Sequence, residues 1–198
     1  MRPLMSLALA LALLDPIASL DARLQAAVQA GRSPAMDRVM QAATDLGRKE
    51  VVLGLLLGVA ILDPAAGPAT ARYAVAALVG TNLAVEGLKR VTDRPRPDGE
   101  RRRSNSSFPS SHAANAACLA WVLGRRWRRA IPVLALVAAA VSWSRVYLNR
   151  HYPSDVLAGV GLGLGIAWAV SRAPWFRAPG APVRVGAGPE RPAGGAAG

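Results

Sequence analysis

A chain of 198 residues that is 52% hydrophobic, only 18% charged and has a mean hydropathy of +0.24 carries more uninterrupted apolar sequence than a water-soluble core requires. Its net charge of +12 comes almost wholly from arginine, the cation suited to forking onto phosphate, and the basic residues fall between apolar runs and not along one soluble face, which argues against a nucleic-acid partner. The one cysteine, Cys118, lies inside an apolar run, so a disulfide framework and a thiolate metal site are excluded.

Residues 4–14 form an apolar run behind Arg2, too short to cross a bilayer alone and similar in size to the core of a signal peptide. No small-x-small cleavage site follows cleanly, and Asp15 and Pro16 interrupt the run, so it reads as an uncleaved hydrophobic N-terminus that, continued to Leu20, makes one leg of a spanning helix. Over 21–50, Leu24, Ala27 and Val28, then Met36, Val39, Met40, Ala43 and Leu46, recur at helical spacing among charges, the pattern of amphipathic interfacial helices. Apolar runs follow at 51–62, 73–88, 113–124, 130–143 and 156–170. Each is shorter than the about 20 residues a span needs, so these helices recruit their polar flanks, and their last turns are free to build a site. Gly159, Gly161, Gly163 and Gly165 alternate in the last run, which predicts close packing of that helix on its neighbours. Beyond Arg172 the composition turns to Pro, Gly and Ala, giving a single domain over 1–177 and a disordered tail over 178–198.

Polar clusters stand at the ends of these runs. Lys89 and Arg96 flank a helix end that Pro97 closes, offering a point charge and a bidentate fork to phosphate or to anionic lipid heads. Arg101, Arg102 and Arg103 fit a juxtamembrane basic patch. Pro109, Ser110, Ser111 and His112 open the next helix with a serine cap and free N–H groups, which is either an anion site or a plain cap beside a surface histidine. Arg145, His151 and Asp155 form the last cluster, where a carboxylate holding one imidazole nitrogen leaves the other able to attack or to accept a proton. A His–Asp pair also suits a metal, but two histidines, one cysteine and no second nearby carboxylate do not assemble a ligand set, so no metal is expected.

Lys89-x6-Arg96-Pro97, then Pro109-Ser110-Ser111-His112, then Ser144-Arg145-x5-His151-x3-Asp155 resemble, in order, spacing and placement on helix ends, the three motifs of the type 2 phosphatidic acid phosphatase (PAP2) family, which is related to vanadium haloperoxidases. The resemblance covers roughly residues 86–157. It implies an all-α polytopic membrane bundle of about five to six transmembrane helices and a metal-independent, cofactor-free phosphatase of lipid phosphates or diphosphates. It further implies that His151 is the nucleophile forming a phosphohistidine, that Asp155 orients it, and that His112 protonates the leaving oxygen. Lys89, Arg96 and Arg145 would hold the phosphoryl oxygens, with the Ser110 hydroxyl and the Ser111 N–H completing the cradle. Ser111 departs from the glycine usual in the family, and an N-terminal helical residue needs no positive φ to be tolerated there.

Two readings from other classes compete: a vanadate-dependent haloperoxidase, and a non-catalytic protein whose arginines bind anionic lipid and whose histidines are dispensable. Nothing in the sequence selects a headgroup or an oligomeric state. Arg125, Arg126, Arg128 and Arg129 form a tight loop between apolar runs, which is normally cytoplasmic and places the polar clusters, one crossing away, on the outer face of a bacterial inner membrane. The polar face carries at least nine basic residues of its own, so a plain charge count points the other way. The short loop is given precedence because part of that charge is committed to phosphate.

Overall fold

The computed structural model describes residues 2–99 and 106–173. The expected tail over 178–198, the domain boundary at 177 and the triplet Arg101, Arg102 and Arg103 lie outside them. Among the described residues seven α-helices follow one another: α1 (Arg2–Ala30), α2 (Pro34–Asp45), α3 (Lys49–Leu62), α4 (Gly67–Thr92), α5 (Ser111–Arg126), α6 (Ile131–Tyr147) and α7 (Pro153–Arg172), with a 3-10 turn at Arg128–Ala130. The protein is an all-α bundle.

The first helix passes through the Asp15-Pro16 break in the apolar run and continues beyond Leu20. α1 runs for 29 residues with Pro16 inside it, about 44 Å at 1.5 Å per residue. Its C-terminal half presents Asp21 and Gln25, one turn apart and both buried, to the rest of the bundle. α2 begins at a cap where the Ser33 side chain accepts from the Met36 N–H and Pro34 fills the first turn. Apart from Thr44 it keeps its residues out of the core, as an interfacial helix does.

The main core joins α3, α4, α5 and α7 through Leu56, Tyr73, Ala77, Cys118, Leu119, Val122 and Ala167. Cys118 is a small buried hydrophobe there. The Tyr73 hydroxyl donates to the Ala167 carbonyl at 2.6 Å, so the phenol pairs with a backbone oxygen inside the bundle. α5 packs most extensively on α7, and glycine makes that possible. A Cβ at Gly163 would lie 2.0 Å from the Ala114 carbonyl oxygen and one at Gly159 2.5 Å from that of Ser110, whereas Gly161 and Gly165 meet nothing within 4 Å. Only one side of the glycine alternation serves packing.

The outward faces are apolar. Leu57, Leu62, Leu83, Val91, Leu136 and Leu157 are each more than 60% exposed, a surface that suits hydrocarbon and not water. Among the described residues, the segments Arg128–Tyr147 and Pro153–Arg172 are long and apolar enough to cross a bilayer. α3 and α5, with 14 and 16 residues, are only about 21 and 24 Å long against a hydrocarbon core of about 30 Å, so their ends meet polar surroundings.

Candidate functional site

One end of the bundle gathers the residues singled out in the sequence. α4 closes on Asp93, which adopts the left-handed conformation with φ 42° and turns the chain into the segment bearing Arg94 and Arg96. α6 ends in a second left-handed residue, Asn149 (φ 60°), of the type that enters this region most readily after glycine. The Gln25 side chain holds that turn, donating to the Val146 carbonyl at 3.0 Å and to the Asn149 side-chain oxygen at 2.7 Å. The N–H groups of Arg150 and His151 both return to the Arg145 carbonyl, at 3.0 and 3.1 Å, which delivers the imidazole into the bundle.

His151 is 2% exposed. Its Nδ1 lies 2.6 Å from the Ser107 backbone carbonyl, which can only accept, so Nδ1 carries the proton and Nε2 holds the free lone pair. The Asp155 carboxylate is 3.8 Å from Nδ1, beyond hydrogen-bonding distance. The imidazole is thus oriented by a backbone oxygen that no sequence pattern announces, with Asp155 behind it. Burial first, and then the charges of Arg145 and Arg96 against the pull of Asp155, lower the His151 pKa below the ordinary histidine value. At neutral pH the ring is neutral.

Asp155 is fully buried and fully engaged. One oxygen meets Arg94 at 2.5 Å and the other accepts from the Tyr152 N–H at 2.8 Å, closing the first turn of α7. Arg94 also reaches Asp21 of α1 at 2.7 Å and the Ser154 hydroxyl at 2.8 Å, and its guanidinium lies 4.3 Å from the centre of the Tyr152 ring. Asp21 accepts as well from the Ser154 N–H at 3.0 Å and from the Ser154 hydroxyl. Burial alone would disfavour the Arg94 charge, but Asp21 and Asp155 outweigh it and raise its pKa. Here two carboxylates share one guanidinium.

The other cations are gathered differently. The charges of Lys89, Arg96 and Arg145, together with the His151 ring, all act on His112, so these groups share one neighbourhood. Lys89 and Arg96 are buried. Arg96 donates to the Arg150 carbonyl at 3.3 Å, and one Arg145 terminal nitrogen donates to the Thr44 hydroxyl at 2.6 Å. The Arg145 Nε–H is buried without a hydrogen-bond partner among the described residues. Cations packed together in a partly dry place repel one another, an arrangement suited to an incoming anion.

Ser110 caps α5, its buried hydroxyl accepting from the Ala113 N–H at 3.5 Å and its own N–H donating to the Asp155 carbonyl at 3.0 Å. Ser111 starts α5, and among the described residues only Asp93, Asn149 and Gly99 have positive φ, so the serine stands there without strain. His112 abuts the hinge between α2 and α3, where a Cβ at Gly47 would lie 2.8 Å from its Cδ2. A polar cavity of about 360 Å³ opens there, lined by His112, Arg96, Arg145 and the hinge. Beyond Gly47 an apolar groove runs between α3, α5 and α6, past Val51, Leu55, Leu119 and Val137. Arg126, paired with Asp63 at 2.6 Å, belongs to the opposite end of the bundle, one helix length away.

Sequence reasoning missed Asp21, Ser107, Gln25 and the orienting part of Arg94. The only available signal was a carboxylate and a glutamine one turn apart on the polar half of α1.

Comparison with known proteins bears on the same segments. The family model described as PAP2 superfamily matches residues 70–179. Phosphatidylglycerophosphatase B of Bacillus subtilis is 32% identical over 169 residues, 76% of this chain and 81% of that protein. Decaprenylphosphoryl-5-phosphoribose phosphatase of Mycobacterium tuberculosis is 39% identical over 82 residues, and the match spans less than half of that relative, 45% of its length against 38% of this chain. The crystal structure of a transmembrane PAP2 type phosphatidylglycerolphosphate phosphatase from Bacillus subtilis superposes with a TM-score of 0.66 at 27% identity, over 79% of this chain and 85% of that one. Aquifex aeolicus LpxE shares the fold with a TM-score of 0.69 at 24% identity, over 78% and 96% of the two chains.

Proposed function

We propose, because this chain belongs to the PAP2 superfamily, that it is an integral membrane phosphatase which hydrolyses a lipid phosphomonoester or diphosphate through a phosphohistidine. The observation that carries the reading is a buried, neutral His151 with its tautomer set by the Ser107 carbonyl, in the same neighbourhood as Lys89, Arg96 and Arg145. Lys89, Arg96 and Arg145 hold the equatorial oxygens, with the Ser110 hydroxyl and Ser111 N–H completing the cradle. His151 Nε2 attacks phosphorus, the bond to the leaving oxygen breaks, and His112, entering as the imidazolium that the bound phosphate's negative charge stabilises, gives that oxygen its proton. Water then attacks the phosphohistidine, His112 takes back a proton, and phosphate leaves with His151 restored. Asp155 balances the positive charge that His151 gains during transfer and keeps the first turn of α7 in place through Tyr152 and Arg94.

The apolar groove beyond Gly47 and the apolar outer faces support a lipid substrate. The exposed arginines 125, 126, 128 and 129, at the end of the bundle away from His151, support a cytoplasmic loop and a site on the outer face of a bacterial inner membrane. The test is phosphate release by purified detergent-solubilised protein, in EDTA, across prenyl and glycerolipid phosphates. Release from at least one of them, lost in His151→Ala, is expected. Silence across the panel, or activity that needs an added metal, contradicts the proposal.

A further inference from the structure

A threonine inside a helix can turn its hydroxyl back onto the carbonyl one turn earlier. Thr70, Thr81 and Thr92 do so here, donating to the carbonyls of Ala66, Ala77 and Leu88 at 2.9, 2.8 and 2.9 Å. Thr44, the remaining threonine of the sequence, makes no such bond among the described residues. It is the one buried residue of α2, and its hydroxyl accepts from the Arg145 Nη1 at 2.6 Å, across 101 residues of chain. Thr44, Arg145, Arg96 and His112 line the same cavity.

The geometry of a guanidinium says what this contact does. The group is planar, so holding Nη1 fixes the rotation of the whole fork. Nη1 is not part of the Nε–H and Nη2 edge, which stays available to fork onto two phosphoryl oxygens, and the Nε–H is buried without a hydrogen-bond partner among the described residues. A hydroxyl also orients the guanidinium without neutralising it. Arg94 shows the alternative, since the carboxylates of Asp21 and Asp155 both hold it and match its charge. A carboxylate at position 44 would compete with phosphate for Arg145, and the threonine hydroxyl does not.

We propose that Thr44 is a positioning residue, whose hydroxyl holds the Arg145 guanidinium in the rotation that presents its fork to the transferred phosphoryl group. The inference rests on the phosphatase reading and brings into the reaction a helix, α2, that lies outside the three polar clusters.

The experiment measures wild type, Thr44→Val, Thr44→Ser and Thr44→Asp in detergent, each with its melting temperature, on two substrates. One is whichever of phosphatidylglycerophosphate, phosphatidic acid and an isoprenyl diphosphate is turned over fastest, and the other is p-nitrophenyl phosphate. Thr44→Val, close in volume but without an acceptor, is expected to lower kcat/KM about tenfold on both, the loss of one hydrogen bond to a charged group. The losses match because Arg145 touches oxygens common to both substrates, whereas a residue acting through His112, which abuts Gly47 three positions on, would spare the aryl phosphate. Thr44→Ser recovers most of the loss, and Thr44→Asp falls below Thr44→Val. In an Arg145→Ala background, adding Thr44→Val changes kcat/KM less than about twofold. Wild-type kcat/KM in Thr44→Val, a loss confined to the lipid, or a full loss in the absence of Arg145 overturns the positioning role. Should Thr44→Val not fold, the other two variants decide, and Thr44→Asp as active as Thr44→Ser overturns it. A wild type that releases phosphate from no substrate overturns the phosphatase reading and the role of Thr44 with it.

Discussion

Two groups of charge lie within the same end of this bundle and are built on opposite principles. Around Arg94 the charges are matched: Asp21 and Asp155 share its guanidinium, and Ser154 and Tyr152 supply further contacts. Around Arg145 cations predominate, since Lys89, Arg96 and Arg145 collect beside two histidines and the Arg145 Nε–H is buried without a hydrogen-bond partner among the described residues. The matched group ties α1, the 93–97 segment and the start of α7 into one frame. The cation-rich group carries an electrostatic cost that an anion relieves. Position is supplied by the first and chemistry by the second, which explains why a fold can keep both within a few side chains of His151.

The largest expected effect comes where the two groups meet. Asp155→Asn keeps an acceptor for the Tyr152 N–H but removes the charge behind His151, so kcat should fall about 10³-fold, the loss of one preorganised electrostatic contact, with KM changed only a few-fold. Near-normal turnover would reduce Asp155 to a cap for α7.

Substitution of one cation from each group separates them most sharply. Lys89→Met removes a buried charge from the cation-rich group and should cost about 10²–10³ in kcat/KM while leaving the melting temperature equal or higher. Arg94→Ala strands two buried carboxylates and should destabilise the protein by about 3–5 kcal/mol, read by thermal unfolding in detergent. The reverse pattern would show that the groups had been assigned the wrong way round.

His112→Ala tests the acid. Turnover of an alkyl lipid phosphate should drop by about 10²–10⁴, whereas an activated aryl phosphate, whose leaving group needs no proton, should lose far less. Equal losses would remove the acid role.

The smallest effect is in pH. Burial and the charges of Arg145 and Arg96 lower the His151 pKa, so the nucleophile stays neutral as pH falls through the ordinary histidine value near 6.5. The acidic limb of kcat/KM, corrected for ionisation of the substrate phosphate, should therefore lie below that value, and Arg145→Gln should move it upward. A limb above about 6.5 would contradict the environment described for His151.

The sequence exposed the cation-rich group far better than the matched one. Lys89, Arg96, His112, Arg145 and His151 are conspicuous because each is a polar residue at the mouth of an apolar run. Asp21 is 73 residues from Arg94 and sits in a stretch where charges and hydrophobes mix, so no local pattern joins them. The Ser107 carbonyl is a backbone atom, and its bond to His151 spans 44 residues and leaves no trace in side-chain spacing. Close packing at Gly159 and Gly163 was legible as a glycine stripe, but which glycines touch α5 depends on how α7 is rotated. α1 was legible as one leg continuing past Asp15-Pro16 to Leu20, but its extension to Ala30 was hidden by the mixed charges after Leu20. Its buried Asp21, Gln25 and half-buried Gln29 are fastened by hydrogen bonds to the 146–154 region.

The central claim, that Lys89, Arg96 and Arg145 serve phosphoryl transfer to His151, is tested most directly by trapping the intermediate. Purified protein mixed with lipid phosphate radiolabelled on the transferred group, in EDTA, and quenched in base within the first turnover should carry a base-stable label that maps to the peptide containing His151 and is absent from His151→Ala. A label on another residue, or full turnover by His151→Ala, would contradict the account.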